Sequence, residues 1–138
     1  MKTLFLSLVL VACFALQGCQ MFGEGRLKPN WPAACQQLKA LDAAAKSFQL
    51  NHQPDSKIAT ALGEWRGHLM GTIAATCAIA SNPNAPDPAP LVWSSIDLGK
   101  AMIKKYVTDS DKAQMYLTAV AGAESALILF NVTPRKLE

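Results

Sequence analysis

Residues 30–58 read NWPAACQQLKALDAAAKSFQLNHQPDSKI, one complete helix followed by the start of another. Asn30 is an N-cap type of residue, and Pro32 sits where a first helical turn tolerates a missing N–H. Cys35, Leu38, Leu41, Ala45 and Phe48 then recur at three- and four-residue steps, the spacing of one helix face. The pattern predicts a first helix from about Trp31 to Leu50. Asn51-His52-Gln53-Pro54 interrupts it. Asp55 or Ser56 caps a second helix reaching about Ala80, with Ile58, Leu62, Trp65, Leu69, Ile73 and Cys77 on its apolar stripe. So short a loop makes the two helices antiparallel neighbours. Cys35, early in the first, and Cys77, late in the second, therefore come to the same end of the hairpin. Cys77 lies further from the loop than Cys35, a difference that a tilt or an uneven loop has to absorb.

Beyond this hairpin, residues 81–90 read SNPNAPDPAP, with four prolines. Proline at that density prevents helix and favours an extended strut, so the segment reads as a stiff crossover rather than as a ligand for a peptide-binding module. A third helix follows from Val92 or Ser95 to Val107, with Ile96, Met102, Ile103 and Tyr106 inward. Thr108-Asp109-Ser110 turns the chain into a fourth, from about Asp111 to Asn131. Tyr116, Leu117, Val120, Leu127, Ile128 and Phe130 supply its apolar face, and Pro134 closes it. No segment alternates as a half-buried strand does, and no internal repeat is present. The expected fold is all-α, a small four-helix bundle over residues 31–134 made of two hairpins. The 138 residues suit one domain. A composition 51% hydrophobic and 17% charged excludes a disordered tail. The net charge of +3 is spread along the chain, which argues against a nucleic-acid binder.

The N-terminus carries an address. Lys2 precedes an apolar run from Leu4 to Leu16 and then Gln17-Gly18-Cys19, the three parts of a secretory signal peptide. The run is shorter than the roughly 20 apolar residues that span a bilayer. Leu16-Gln17-Gly18-Cys19 resembles the lipobox of bacterial lipoproteins. The resemblance implies that residues 1–18 are removed and that Cys19 becomes the first mature residue, bearing a diacylglycerol thioether and often an acylated amine. Each buried CH₂ then contributes about 0.8 kcal/mol, and two or three chains hold the protein on the bilayer. By the sorting pattern of enterobacterial lipoproteins, Gln20 in place of Asp implies the outer membrane, with the domain facing the periplasm. Gln20 to Asn30 reads as a tether, with a maximal reach of about 35–40 Å.

The same resemblance accounts for two of the four cysteines, since Cys13 leaves with the signal peptide and Cys19 takes the lipid. Cys35 and Cys77 remain, in a compartment that permits disulfides. They are expected to form a structural disulfide worth about 4 kcal/mol in the chain-entropy model. The alternative, a reactive or metal-binding thiol pair, has neither a Cys-x-x-Cys spacing nor a nearby histidine to support it.

Gly63, Gly67, Gly71 and Ala75 recur every four residues and form a strip without side chains along the second helix. Each helical glycine costs about 1 kcal/mol relative to alanine, so the strip calls for close approach by another helix. The expected neighbour is the Ala-rich segment Ala119 to Ala123 of the fourth helix. Self-association or a partner's helix is the alternative.

Chemistry is sparse. The histidines are His52 and His68, and Glu64 stands one turn before His68. No His-Glu-x-x-His, Cys-x-x-Cys-His, Gly-x-Ser-x-Gly or phosphate-cradling loop is present. His68 with Met70, Met102 and Met115 has the donor types for copper, but methionine at helical spacing is ordinary core filler. Lys100, Lys104 and Lys105 form a small basic patch suited to anionic head groups. The reading is a non-enzymatic envelope lipoprotein, without cofactor or metal, that binds another envelope protein. By analogy of architecture alone, it would be pilotin-like in a secretion system or exclusion-like in a phage or plasmid. The alternative is a periplasmic bundle that binds a small ligand or metal in a cavity near Trp65, His68 and Tyr116.

Overall fold

A computed structural model describes residues 28–134. The expected signal segment 1–18, Cys19 and the expected tether as far as Leu27 lie outside the described residues. Four helices follow in order: α1 Trp31–Leu50, α2 Lys57–Ser81, α3 Ala89–Tyr106 and α4 Ser110–Leu129. Side chains set their starts. Asn30 Oδ1 accepts from the Ala33 amide at 3.2 Å, Ser56 Oγ from the Ala59 amide at 3.2 Å, and Asp109 Oδ1 from the Asp111 and Lys112 amides. Helix α3 begins earlier than the proline content suggests. Asp87 Oδ1 accepts from the Ala89 amide at 3.0 Å, and Pro90 falls in the first turn, where no N–H is needed. The crossover shrinks to residues 82–88. Helix α4 ends in a Schellman arrangement: Asn131 adopts φ 61°, its amide bonds Ile128 O, and the Val132 amide bonds Leu127 O, with Val132 fully buried beneath the turn.

The helices form a square, α1 against α2 and α4, and α3 against α2 and α4. Antiparallel packing follows from the pairs that touch. Cys35 meets Cys77, Asp42 meets Arg66 and Gln49 meets Gly63 across α1 and α2. Trp65 meets Gly99 and Thr72 meets Ser95 across α2 and α3. Phe48 stacks on Tyr116 with ring centroids 4.0 Å apart, joining α1 to α4. The uneven hairpin register is absorbed by length, since α2 has 25 residues against 20 in α1. Gly63 is level with Gln49, so the first residues of α2 stand beyond the end of α1.

Trp65, Tyr116, Leu38, Leu62, Leu69 and Ile96 form the fully buried centre. The Trp65 indole rests directly on Gly99, where a Cβ would come within 2.7 Å of Nε1 and closer still to the ring carbons. Its N–H donates to Ser95 O at 2.9 Å. Here glycine is required by close approach. One expected core position fails: Ile128 is 50% exposed, because Leu127 takes the inward place and the next residue is rotated about 100° away.

Candidate binding surfaces

Solvent-facing charge is distributed unevenly. Helix α1 presents Lys39 and Lys46, and α3 presents Asp97, Lys104 and Lys105, ordinary solvated faces. By contrast, α2 has no Asp, Glu, Lys or Arg from Gly67 to Ser81. Helix α4 has only Glu124 from Ala113 to Leu129, and Glu124 is ion-paired with Lys100 of α3. The two charge-poor faces lie on opposite corners of the square, because α2 and α4 are diagonal partners.

This geometry corrects the internal role expected for the glycine strip. Gly63 is used within the fold, its missing Cβ leaving room for Gln49 Nε2, which would otherwise be 3.0 Å away. Gly67 and Gly71 are exposed, with nothing within 4 Å of where a Cβ would stand, and Ala75 is half-buried. None of the four packs on Ala119 to Ala123, since α2 is flanked by α1 and α3. The cause is angular: a four-residue repeat advances about 40° per step around a helix of 3.6 residues per turn. A strip that begins under α1 therefore rotates into solvent. Beside the two glycines, Met70 is 57% exposed, and Ala74 and Ala78 continue the same outward side.

Cys35 and Cys77 are joined as a disulfide, their Cα atoms 5.1 Å apart. The bond ties the end of the bundle from which the chain runs toward Cys19. There the Asn30 amide also donates to Phe130 O at 2.7 Å, fastening α1 to the end of α4. An apolar cleft of about 270 Å³ opens at this end between Trp31, Pro32, Ile79 and Pro83, with Lys28 at its rim.

The residues of the alternative ligand site do not converge. Trp65 and Tyr116 are fully buried in the core, whereas His68 is exposed. Among the described residues no group of three or more His, Cys, Asp and Glu could hold a metal ion. The histidine with a specific partner is His52, whose Nε2 lies 3.0 Å from the Tyr116 hydroxyl. Burial, and then the positive charge of Lys112, hold His52 below the usual imidazole value. The described residues contain no helix long and apolar enough to cross a membrane.

The sequence reading missed Gly99, a lone glycine with no repeat to mark it, and the outward face of α4, whose small residues were assigned to internal packing. Charge depletion at the outward positions was the available signal. No family model, curated protein sequence or solved structure matches the chain.

Proposed function

We propose that this protein is an outer-membrane-anchored envelope lipoprotein, held by acyl chains on Cys19, whose helical domain acts without catalysis by binding another envelope protein. The role is that of an accessory module, of the secretion-system pilotin kind or the exclusion-lipoprotein kind. One observation carries the binding surface: Gly67 and Gly71 face outward on the stretch of α2 from Gly67 to Ser81 that has no Asp, Glu, Lys or Arg, and no contact inside the fold offsets their cost of about 1 kcal/mol each. A partner helix lying against them supplies the close approach that makes glycine favourable. The lipobox Leu16-Gln17-Gly18-Cys19 and the disulfide bear on compartment.

The test is capture of the tagged full-length chain from detergent-solubilised membranes, alone and with Gly67→Leu and Gly71→Leu. The expected result is a stoichiometric envelope partner that both substitutions release, while thermal stability is kept because both sites are open. Failure to recover a stoichiometric partner, or one that ignores both substitutions, refutes the reading.

A further inference from the structure

We propose that the pole of the bundle from which the chain runs toward Cys19 seats directly on the lipid bilayer, with Trp31, Leu91, Ile128 and Leu129 entering the head-group boundary. At this pole α1 and α3 begin and α2 and α4 end. Each helix brings an apolar residue to within one turn of it: Trp31 in α1, Ile79 in α2, Leu91 in α3, and Ile128 with Leu129 in α4. Leu91, Ile128 and Leu129 are 51%, 50% and 54% exposed, and the apolar cleft of about 270 Å³ opens beside Trp31 and Ile79. Exposed apolar groups gathered at one end mark a contact surface.

Charge is divided between the poles in the same sense. Among the described residues, Lys28 and Asp87 alone are charged within a turn of the tether pole, and Asp87 Oδ1 is engaged in capping α3. The opposite pole carries Asp55 and Lys57 at the start of α2, Lys104 and Lys105 at the end of α3, and Asp109, Asp111 and Lys112 at the start of α4. Exposed Leu50 sits among those charges. The tether pole is also poor in amides that lipid would strand. Pro83, Pro86 and Pro88 of the crossover have no N–H, while the Asn82, Asn84 and Ala85 amides bond Ala78 O, Asn82 Oδ1 and Asn82 O at 2.8, 3.1 and 3.0 Å. At the end of α4, the amides of Phe130, Asn131 and Val132 are likewise paired within the chain.

The position of the tether selects lipid as the occupant, a step that rests on the acyl anchor at Cys19. Nine residue steps separate Cys19 from Lys28, a reach of at most about 30 Å. The 25 residues of α2 are about 37 Å long, so the far pole stands a further helix length away. The apolar pole is therefore the end tied close to the bilayer, at a high effective concentration, and even weak apolar contact suffices to seat it. A tryptophan at the rim with a lysine beside it suits the boundary: the indole takes the interfacial layer, and the Lys28 amine reaches anionic head groups. Lys104 and Lys105, suited to head groups by composition, lie at the wrong pole for this contact. An upright bundle leaves the outward face of α2 open to a protein partner.

The test places a nitroxide on Leu129→Cys or Leu50→Cys of the membrane-purified full-length chain. The labelled protein is reconstituted into vesicles of phosphatidylethanolamine and phosphatidylglycerol that contain no other protein. Oxygen concentrates among acyl chains and a water-soluble nickel chelate is excluded from them, so the ratio of their collisions with the label reports depth. The ratio at 129 should exceed that at 50 by at least about threefold, as expected for side chains about 5–10 Å into the boundary. Adding Leu91→Asp and Ile128→Asp, both at exposed positions, should bring the label at 129 to the level at 50 while the Cys35–Cys77 bond stays oxidised and the helix content is kept. Equal ratios at the two poles overturn the proposal and leave this end to a protein partner absent from the vesicles. A label at 129 that stays shielded in the double Asp variant also overturns it, because the tether alone would then hold the pole down. A purified chain whose intact mass lacks acyl groups refutes the anchor and this proposal together, so the two failures are told apart.

Discussion

Gly67→Ala and Gly99→Ala are the same substitution in the interiors of two helices, and the structure gives them opposite signs. At position 67 no atom lies within 4 Å of the new methyl, so only backbone terms act. Alanine favours the helix and narrows the unfolded ensemble, a gain of about 0.5–1 kcal/mol. At position 99 the same gain is present, but the methyl would stand within the Trp65 ring. That ring is fully buried and fixed by its N–H bond to Ser95 O at 2.9 Å, so it has nowhere to move without loss. Overpacking of this kind costs about 1–3 kcal/mol, and surrendering the indole hydrogen bond adds about 1 kcal/mol. The net result is a destabilisation of about 1–3 kcal/mol. At about 4–8 °C per kcal/mol for a domain of this size, Gly67→Ala should raise Tm by a few degrees and Gly99→Ala should lower it by about 4 °C or more. Thermal and urea unfolding of the oxidised full-length chain in detergent, followed by circular dichroism, reads both. A Gly99→Ala chain as stable as the parent would mean that the indole is not seated on Gly99. A Gly67→Ala chain less stable than the parent would mean that position 67 is not open.

Three further outcomes are expected. Replacing both Cys35 and Cys77 by Ala removes a link across a sequence separation of 42 and should cost about 4 kcal/mol, seen as a large fall in the urea midpoint; an unchanged midpoint contradicts it. His52 binds its proton less readily folded than unfolded, so stability should fall as pH drops from above the usual imidazole value through the lowered folded value. His52→Gln should flatten that part of the Tm profile, and an identical slope in the variant would remove His52 as its source. Cys19→Ala should move the protein from the membrane fraction to the soluble fraction, and retention on membranes would contradict the lipid anchor.

Much of the fold was legible because periodicity and caps agree. Cys35, Leu38, Leu41, Ala45 and Phe48 are all buried, and Asn30 and Ser56 cap the helices their chemistry suits. The start of α3 is hidden by the proline density of residues 81–90, which reads as one extended strut, whereas Pro90 stands in the first helical turn, which tolerates it as it does Pro32 in α1. The glycine strip was misread because a four-residue repeat looks like a straight line on paper and winds around the helix in space. Gly99 could not be singled out, since what makes it necessary is Trp65, remote in sequence and adjacent only after folding. The candidate surfaces were legible as composition, a long stretch without charge, but not as position: which corner each helix occupies is set by packing.

The bond between Cys35 and Cys77 also has a mechanical consequence. Force applied to the chain ahead of Lys28 enters α1 at Trp31, and Cys35 stands one helical turn further on. A pull can therefore unwind no more than that first turn before it meets a covalent stop. Beyond it the load is shared with Cys77 near the far end of α2, and the hairpin is dragged as one body instead of being peeled residue by residue.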